Sequence, residues 1–100
     1  MVPNIVIPPA AIEAFCRKWK LSEFALFGSV LREDFNPASD VDILISFQPG
    51  SAMTLESFIE MRDELHSLFG REVDIVEKRL VRNPFRRHSI LTSRQVLYAA

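Results

Sequence analysis

Apolar residues return along this chain with two different periods, and the switching between them predicts its architecture. Ile12, Phe15, Cys16 and Trp19 recur at the spacing of one helical face. They follow Pro8-Pro9, a pair suited to a helix start, so the first element is an amphipathic helix. Arg17, Lys18 and Lys20 near its end favour the helix dipole. Phe24 to Phe27 is a short apolar run that stops at Gly28 and predicts a strand. Ser29 to Glu33 suits a helical turn, which Asn36-Pro37 breaks. Val41, Ile43, Ile45 and Phe47 then alternate with Asp40, Asp42, Leu44 and Ser46, predicting a strand with one apolar face and one face that carries the acids.

Gln48-Pro49-Gly50 is a turn. From about Thr54 to Phe69, Leu55, Phe58, Ile59, Leu65, Leu68 and Phe69 indicate a second long helix, with Gly70 placed as its C-terminal cap. Arg62 interrupts that stripe, either as a snorkelling side chain or in an ion pair with nearby acids. Glu72 to Val76 reads as a third strand, with Val73 and Ile75 inward and Glu72 and Asp74 outward. Pro84 can open a last helix running to about Ser93, and Gln95 to Ala99 is either an extended tail or more helix. The pattern predicts an α/β (α+β) fold.

With 100 residues, 48% of them hydrophobic, the chain can bury one core, so residues 1–100 are expected to form a single domain. A net charge of −1 gives no strong field for a nucleic-acid backbone or an anionic membrane, and neither is an expected partner. The single cysteine, Cys16, excludes an internal disulfide and a cysteine-based zinc site, and it is expected in the core. Met1 to Pro9 lacks the basic start and long apolar centre of a signal peptide, and no apolar run reaches membrane-spanning length. A cytoplasmic protein is expected.

The chemistry is concentrated in Gly28-Ser29 and, after ten intervening residues, Asp40-x-Asp42. Residues two apart in a strand share a face, so Asp40 and Asp42 would present two carboxylates side by side. They repel each other unless a divalent cation lies between them, and hard oxygen ligands select magnesium or manganese. Four fixed positions at this spacing arise by chance in roughly one chain in a thousand of this length. The arrangement resembles the nucleotidyltransferase superfamily that includes DNA polymerase beta, and specifically its minimal branch. The segment Gly70 to Val76 resembles the family's third-carboxylate strand, and Ile90 to Tyr98 its terminal helix and tail.

The resemblance implies a small mixed sheet flanked by helices and a reaction that joins a hydroxyl to the α-phosphorus of a nucleoside triphosphate. It implies Asp40, Asp42 and Asp74 as ligands of two magnesium ions, with manganese as the alternative, and Asp74 as acceptor of the hydroxyl proton. Glu72, two residues from Asp74, ranks below it as a ligand. A glycine after a strand lets backbone amides approach phosphate, so Gly28 and Ser29 are placed at the triphosphate, where the Ser29 hydroxyl can donate to a terminal oxygen. Arg32 matches a basic position common in the family and is expected near the triphosphate, with a salt bridge to Glu33 or Asp34 as the structural alternative. Ser39 is expected to cap the loop. His66 and His88 read as surface residues. The basic run Lys78-Arg79, Arg82, Arg86-Arg87 could hold a phosphate tail or an acidic partner, with a solvated face as the default.

Two rival readings of Asp-x-Asp fall away. In aspartyl phosphatases the pair follows an apolar strand, whereas here the strand comes after it, and sugar transferases need a far longer nucleotide-binding domain. The resemblance further implies ATP as the substrate and, as partner, a helical HEPN-type protein encoded nearby, which the transferase neutralises as an antitoxin by placing AMP on a tyrosine. The alternative is a non-catalytic nucleotide-binding or protein-binding module that neutralises its partner by contact. Apolar residues at Met1 to Ile7 and Val96 to Tyr98 would suit an interface in a homo- or hetero-oligomer under either reading.

Overall fold

Helix α1 (Pro9–Lys18) begins where the sequence predicts, with Pro8 at the N-cap and Pro9 in the first turn, and it buries Ile12, Phe15 and Cys16. This computed structural model describes residues 8–28 and 40–100. Strand β1 (Leu21–Phe27) starts three residues earlier than its apolar run predicts. Leu21 is fully buried, and the Ser22 hydroxyl donates to the Phe47 carbonyl at 3.3 Å, so the polar start of the strand is held by its neighbour. Strand β2 (Val41–Phe47) pairs antiparallel with β1, and α2 (Leu55–Phe69) follows. Thr54 and Ser57 form a reciprocal capping box at the start of α2, and Gly70 at φ 71° closes its end in the left-handed conformation.

Helix α2 carries the chain across to β3 (Val73–Glu77), which therefore lies parallel to β2. A 3-10 turn (Lys78–Leu80) leads to α3 (Pro84–Ser93), whose N-cap Asn83 accepts from the amides of Phe85 and Arg86. The last segment resolves the choice between tail and helix. Gln95–Ala99 is strand β4, antiparallel to β1, and the sheet order is β3-β2-β1-β4. The expected small mixed sheet with flanking helices is thus the observed architecture.

The sheet has apolar residues on both faces. Phe24, Leu26, Ile43, Ile45 and Ile75 pack with Ile12, Phe15 and Cys16 of α1 and Met61 and Leu65 of α2. Phe15 meets Phe24 edge-on at 5.9 Å between ring centroids. Ala25, Phe27 and Leu44 pack on the other face with Val81 and Ile90. Leu44, expected among the acids on the polar face, is almost fully buried because α3 and its leading loop cover that half of the face. Each fully buried large aliphatic or aromatic side chain contributes about 1.5–3 kcal/mol.

The α2 stripe differs in detail from the expectation. Met61 is fully buried beside Leu65, while Leu55 and Ile59 stand exposed. Arg62 is exposed with its guanidinium carbon 6.0 Å from the Phe58 ring centroid, a cation–π contact with its neighbour on the same helix. Glu23 of β1 ties the 3-10 turn to the end of α3. Its carboxylate meets Lys78 at 3.1 Å and Arg94 at 2.8 Å, and its side chain is only 14% exposed. Removing either cation would leave a largely desolvated carboxylate half-compensated.

Cys16 lies in the core as expected, with no exposed surface. Burial raises its thiol from an ordinary value of 9.0 to about 12. The folded state therefore holds this proton where the unfolded chain has released it. The resulting stability is complete below about pH 9 and is lost as pH rises from there toward about 12. Native protein at pH 8 is expected to resist alkylation by iodoacetamide, with full labelling after denaturation, as mass spectrometry would read it. Labelling of the native chain as fast as that of a free thiol would contradict the buried placement.

Candidate functional site

The acids meet where β1 ends and the two parallel strands begin. Phe27 lies opposite Asp42 in the β1–β2 pairing, and Asp42 lies opposite Asp74 in the β2–β3 pairing. Asp40 immediately precedes β2, and the Val41 amide donates to the Glu72 carbonyl at 3.0 Å, which holds the two strand starts together. Asp42 is two residues from Leu44 and Asp74 two from Val76, both of which pack in the cluster under α3. Strand alternation therefore puts both carboxylates on that same face. Adjacent strands are about 4.8 Å apart, so in-register carboxylates on one face are close enough to serve a common ligand.

Gly28 closes the third side. It has φ +72°, and a Cβ built on it would stand 2.2 Å from Asp42 Oδ2 and 3.1 Å from Asp42 Cγ. Glycine is required here twice over, by the left-handed backbone and by the carboxylate that occupies the space of a side chain.

Among the described residues no three acid, histidine or cysteine side chains are drawn together tightly enough to enclose a metal ion as they stand. The donor set nevertheless fits a hard divalent cation. Asp42 and Asp74 are in register on one face, Asp40 stands at the entry to the same strand, and Gly28 leaves the Asp42 carboxylate the space that a side chain at position 28 would fill. Asp40 and Asp74 are exposed and Asp42 is half-buried, so the site opens to solvent.

Of the other residues singled out from the sequence, Ser29, Arg32 and Ser39 lie outside the described residues, as do the helical turn at 29–33 and the segment 1–7. Glu72 turns toward α2, its carboxylate 3.7 Å from His66 Nε2, both exposed. His88 is exposed on α3. One feature carried no sequence signal. Glu77 at the end of β3 is buried, paired with Arg79, and borders a cavity of about 310 Å³ together with Ser46, Gln48 and Ser51. Glu77 pairs in register with Ile45, three positions along the strands from the Asp42–Asp74 row, at the opposite end of β2 from the acids.

A family model described as a nucleotidyltransferase domain matches residues 9–97. The chain belongs to the nucleotidyltransferase family. The resemblance drawn from Gly28-Ser29, Asp40-x-Asp42 and the Asp74 strand is thereby borne out. A relative from Methanocaldococcus jannaschii, named as a candidate protein adenylyltransferase, is 37% identical over 73 residues, 73% of this chain and 72% of that protein. In three dimensions the chain is similar to a protein in a toxin–antitoxin crystal structure with AMP-PNP, at a TM-score of 0.74 and 22% identity over 94% of this chain and 75% of that one. It is also similar to a chain in the complex of a tri-AMPylated Shewanella oneidensis HEPN toxin with its MNT antitoxin, at a TM-score of 0.65 and 22% identity, covering 92% of this chain and 70% of that one. At those identities the two structures establish the nucleotidyltransferase fold. No helix among the described residues is long and apolar enough to cross a membrane.

Proposed function

We propose that this nucleotidyltransferase moves AMP from ATP to a hydroxyl, a tyrosine by first choice, of a HEPN-type helical partner, and that it acts as the antitoxin to that partner. The observation that carries the reading is the row Phe27, Asp42, Asp74 with Gly28 against the Asp42 carboxylate. The adenylyltransferase relative and the AMPylated HEPN complex supply the nucleotide and the acceptor. Residues 1–100 are read as one catalytic domain working in the cytoplasm.

In this reading the acceptor oxygen forms a bond to the α-phosphorus, the bond to the bridging oxygen breaks, and pyrophosphate leaves. Asp74, exposed at the edge of the acid face, takes the hydroxyl proton. Asp40, Asp42 and Asp74 would hold two magnesium ions, or manganese in their place. Bound there, the metal supplies neutralisation of the triphosphate and of the charge that grows on the leaving group. Gly28 and Ser29 present amides and a hydroxyl to the phosphates, and Arg32 adds a cation beside them. Asp42 stays in place because its backbone is paired on both sides and no side chain at position 28 competes for its space.

The test is to incubate the chain, magnesium and the HEPN-type protein encoded beside its gene with ATP labelled at the α-phosphate, and separately at the γ-phosphate. Label on the partner from the α position alone is expected. A stable complex that carries no label would assign the chain to contact neutralisation instead.

A further inference from the structure

Charge is divided along this chain. All 13 acidic residues precede position 78, whereas 78–100 contains Lys78, Arg79, Arg82, Arg86, Arg87 and Arg94 and no acid. Three of these cations serve the fold: Lys78 and Arg94 on Glu23, and Arg87, whose guanidinium donates to the Lys78 and Val81 carbonyls. The other three face outward. Arg79 pairs with Glu77 yet leaves 70% of its side chain exposed. The side chains of Arg82 and Arg86 are exposed and make no hydrogen bond or ion pair among the described residues. Between these cations stand Leu80, 54% exposed, and Phe85, 85% exposed.

Such a ridge is not what solvent alone selects. A phenylalanine held open on the first turn of a helix leaves an area in water that a core would bury, and Asn83 fixes that turn by capping it. Aromatic and arginine side chains together are the composition of a protein-binding hot spot. The ridge also lies on the same side of the sheet as Asp42 and Asp74, since Val81 within it and Ile90 beyond it pack on Ala25, Phe27 and Leu44. A protein seated there is on the side of the sheet that carries the acids.

We propose that the 3-10 turn and the first turn of α3 form the docking surface for the acceptor protein, and that the surface it fits is an apolar pocket for Phe85 rimmed by carboxylates that meet Arg79, Arg82 and Arg86. This deepens the reading of the chain as a protein adenylyltransferase and rests on it. A protein suits the ridge better than a nucleic acid. Three outward cations on a chain of net charge −1 neutralise few phosphates, and Leu80 offers no face on which a base can stack.

The experiment uses the whole chain as wild type, as Arg82→Glu/Arg86→Glu and as Phe85→Ala, with the HEPN-type protein encoded beside its gene as the probe. Calorimetry at low and physiological salt reads the complex, a fluorescent ATP analogue reads nucleotide affinity, and α-labelled ATP reads transfer. Both variants are expected to weaken the complex at least about tenfold and to raise KM for the partner, with kcat at saturating partner and ATP affinity unchanged. The charge-reversed variant should also lose the salt dependence that the wild type shows. Unaltered affinity and KM in both variants, with the partner still labelled, would overturn the docking surface and leave the transferase reading standing. A wild-type chain that binds ATP but neither binds nor labels that protein would remove the reading and the docking surface together. In that event, binding of single-stranded RNA that is lost in the charge-reversed variant would assign the ridge to nucleic acid.

Discussion

Asp42→Asn lowers nucleotidyl transfer at least about a thousandfold in the expected result, while the melting temperature stays within a few degrees of the wild type. The exchange keeps the shape of the side chain and its strand pairing, with Phe27 on one side and Asp74 on the other. What it removes is one negative charge at the centre of the row, where a metal-assisted displacement needs it. Asp74→Asn should differ in kind. Losing the proposed proton acceptor is expected to lower kcat by about a hundredfold to ten-thousandfold with ATP affinity largely retained. Labelled ATP gives the rates and a fluorescent analogue the affinity. Near-normal transfer by Asp42→Asn would take Asp42 out of the reaction.

Gly28→Ala is the second large effect, and it separates catalysis from stability. The left-handed backbone costs a side-chain-bearing residue about 1–2 kcal/mol. The new methyl would also stand 2.2 Å from Asp42 Oδ2, so the carboxylate must rotate away. Because the atom that yields is the end of a side chain and not backbone, the fold survives the clash and the site does not. Displacing a catalytic group by about 1 Å can cost a hundredfold, and a loss of transfer of at least that size is expected. Gly70→Ala is the matched control: Gly70 has φ +71°, and a Cβ there meets nothing within 4 Å. The two variants should lose similar stability in thermal melts, with activity lost in Gly28→Ala alone. Equal activity in both would mean that the contact with Asp42 has no bearing on the reaction.

Much of the fold is legible in short stretches of sequence because each signal is local. The Pro8-Pro9 start, the strand from Val41 to Phe47, and the Gly70 cap depend on residues within a turn or two of each other, and each stands in the structure as predicted. The errors fall where a distant partner decides. Leu55 and Ile59 sit at helical spacing as convincingly as Met61 and Leu65 do, and only the position of the sheet determines which of them it covers. Leu21 to Glu23 become strand because β2 and β4 lie on either side to pair with them. Gln95 to Ala99 is ambiguous alone and becomes β4 for the same reason. Leu44 reads as a partner of the acids and is instead roofed by α3.

The site divides in the same way. Sequence by itself determined the residue types, the spacing between Gly28-Ser29 and Asp40-x-Asp42, and the apolar strands that carry them, because those follow from composition and local period. The tertiary structure alone decided that Asp74 stands in register with Asp42, 32 residues apart in the chain, and that Gly28 has the Asp42 carboxylate where its own side chain would be. The second follows from the antiparallel pairing that sets Phe27 opposite Asp42, and the first from α2 returning the chain so that β3 lies parallel to β2. That register is fixed by burying Ile43 and Ile75 on one face, which leaves Asp42 and Asp74 together on the other.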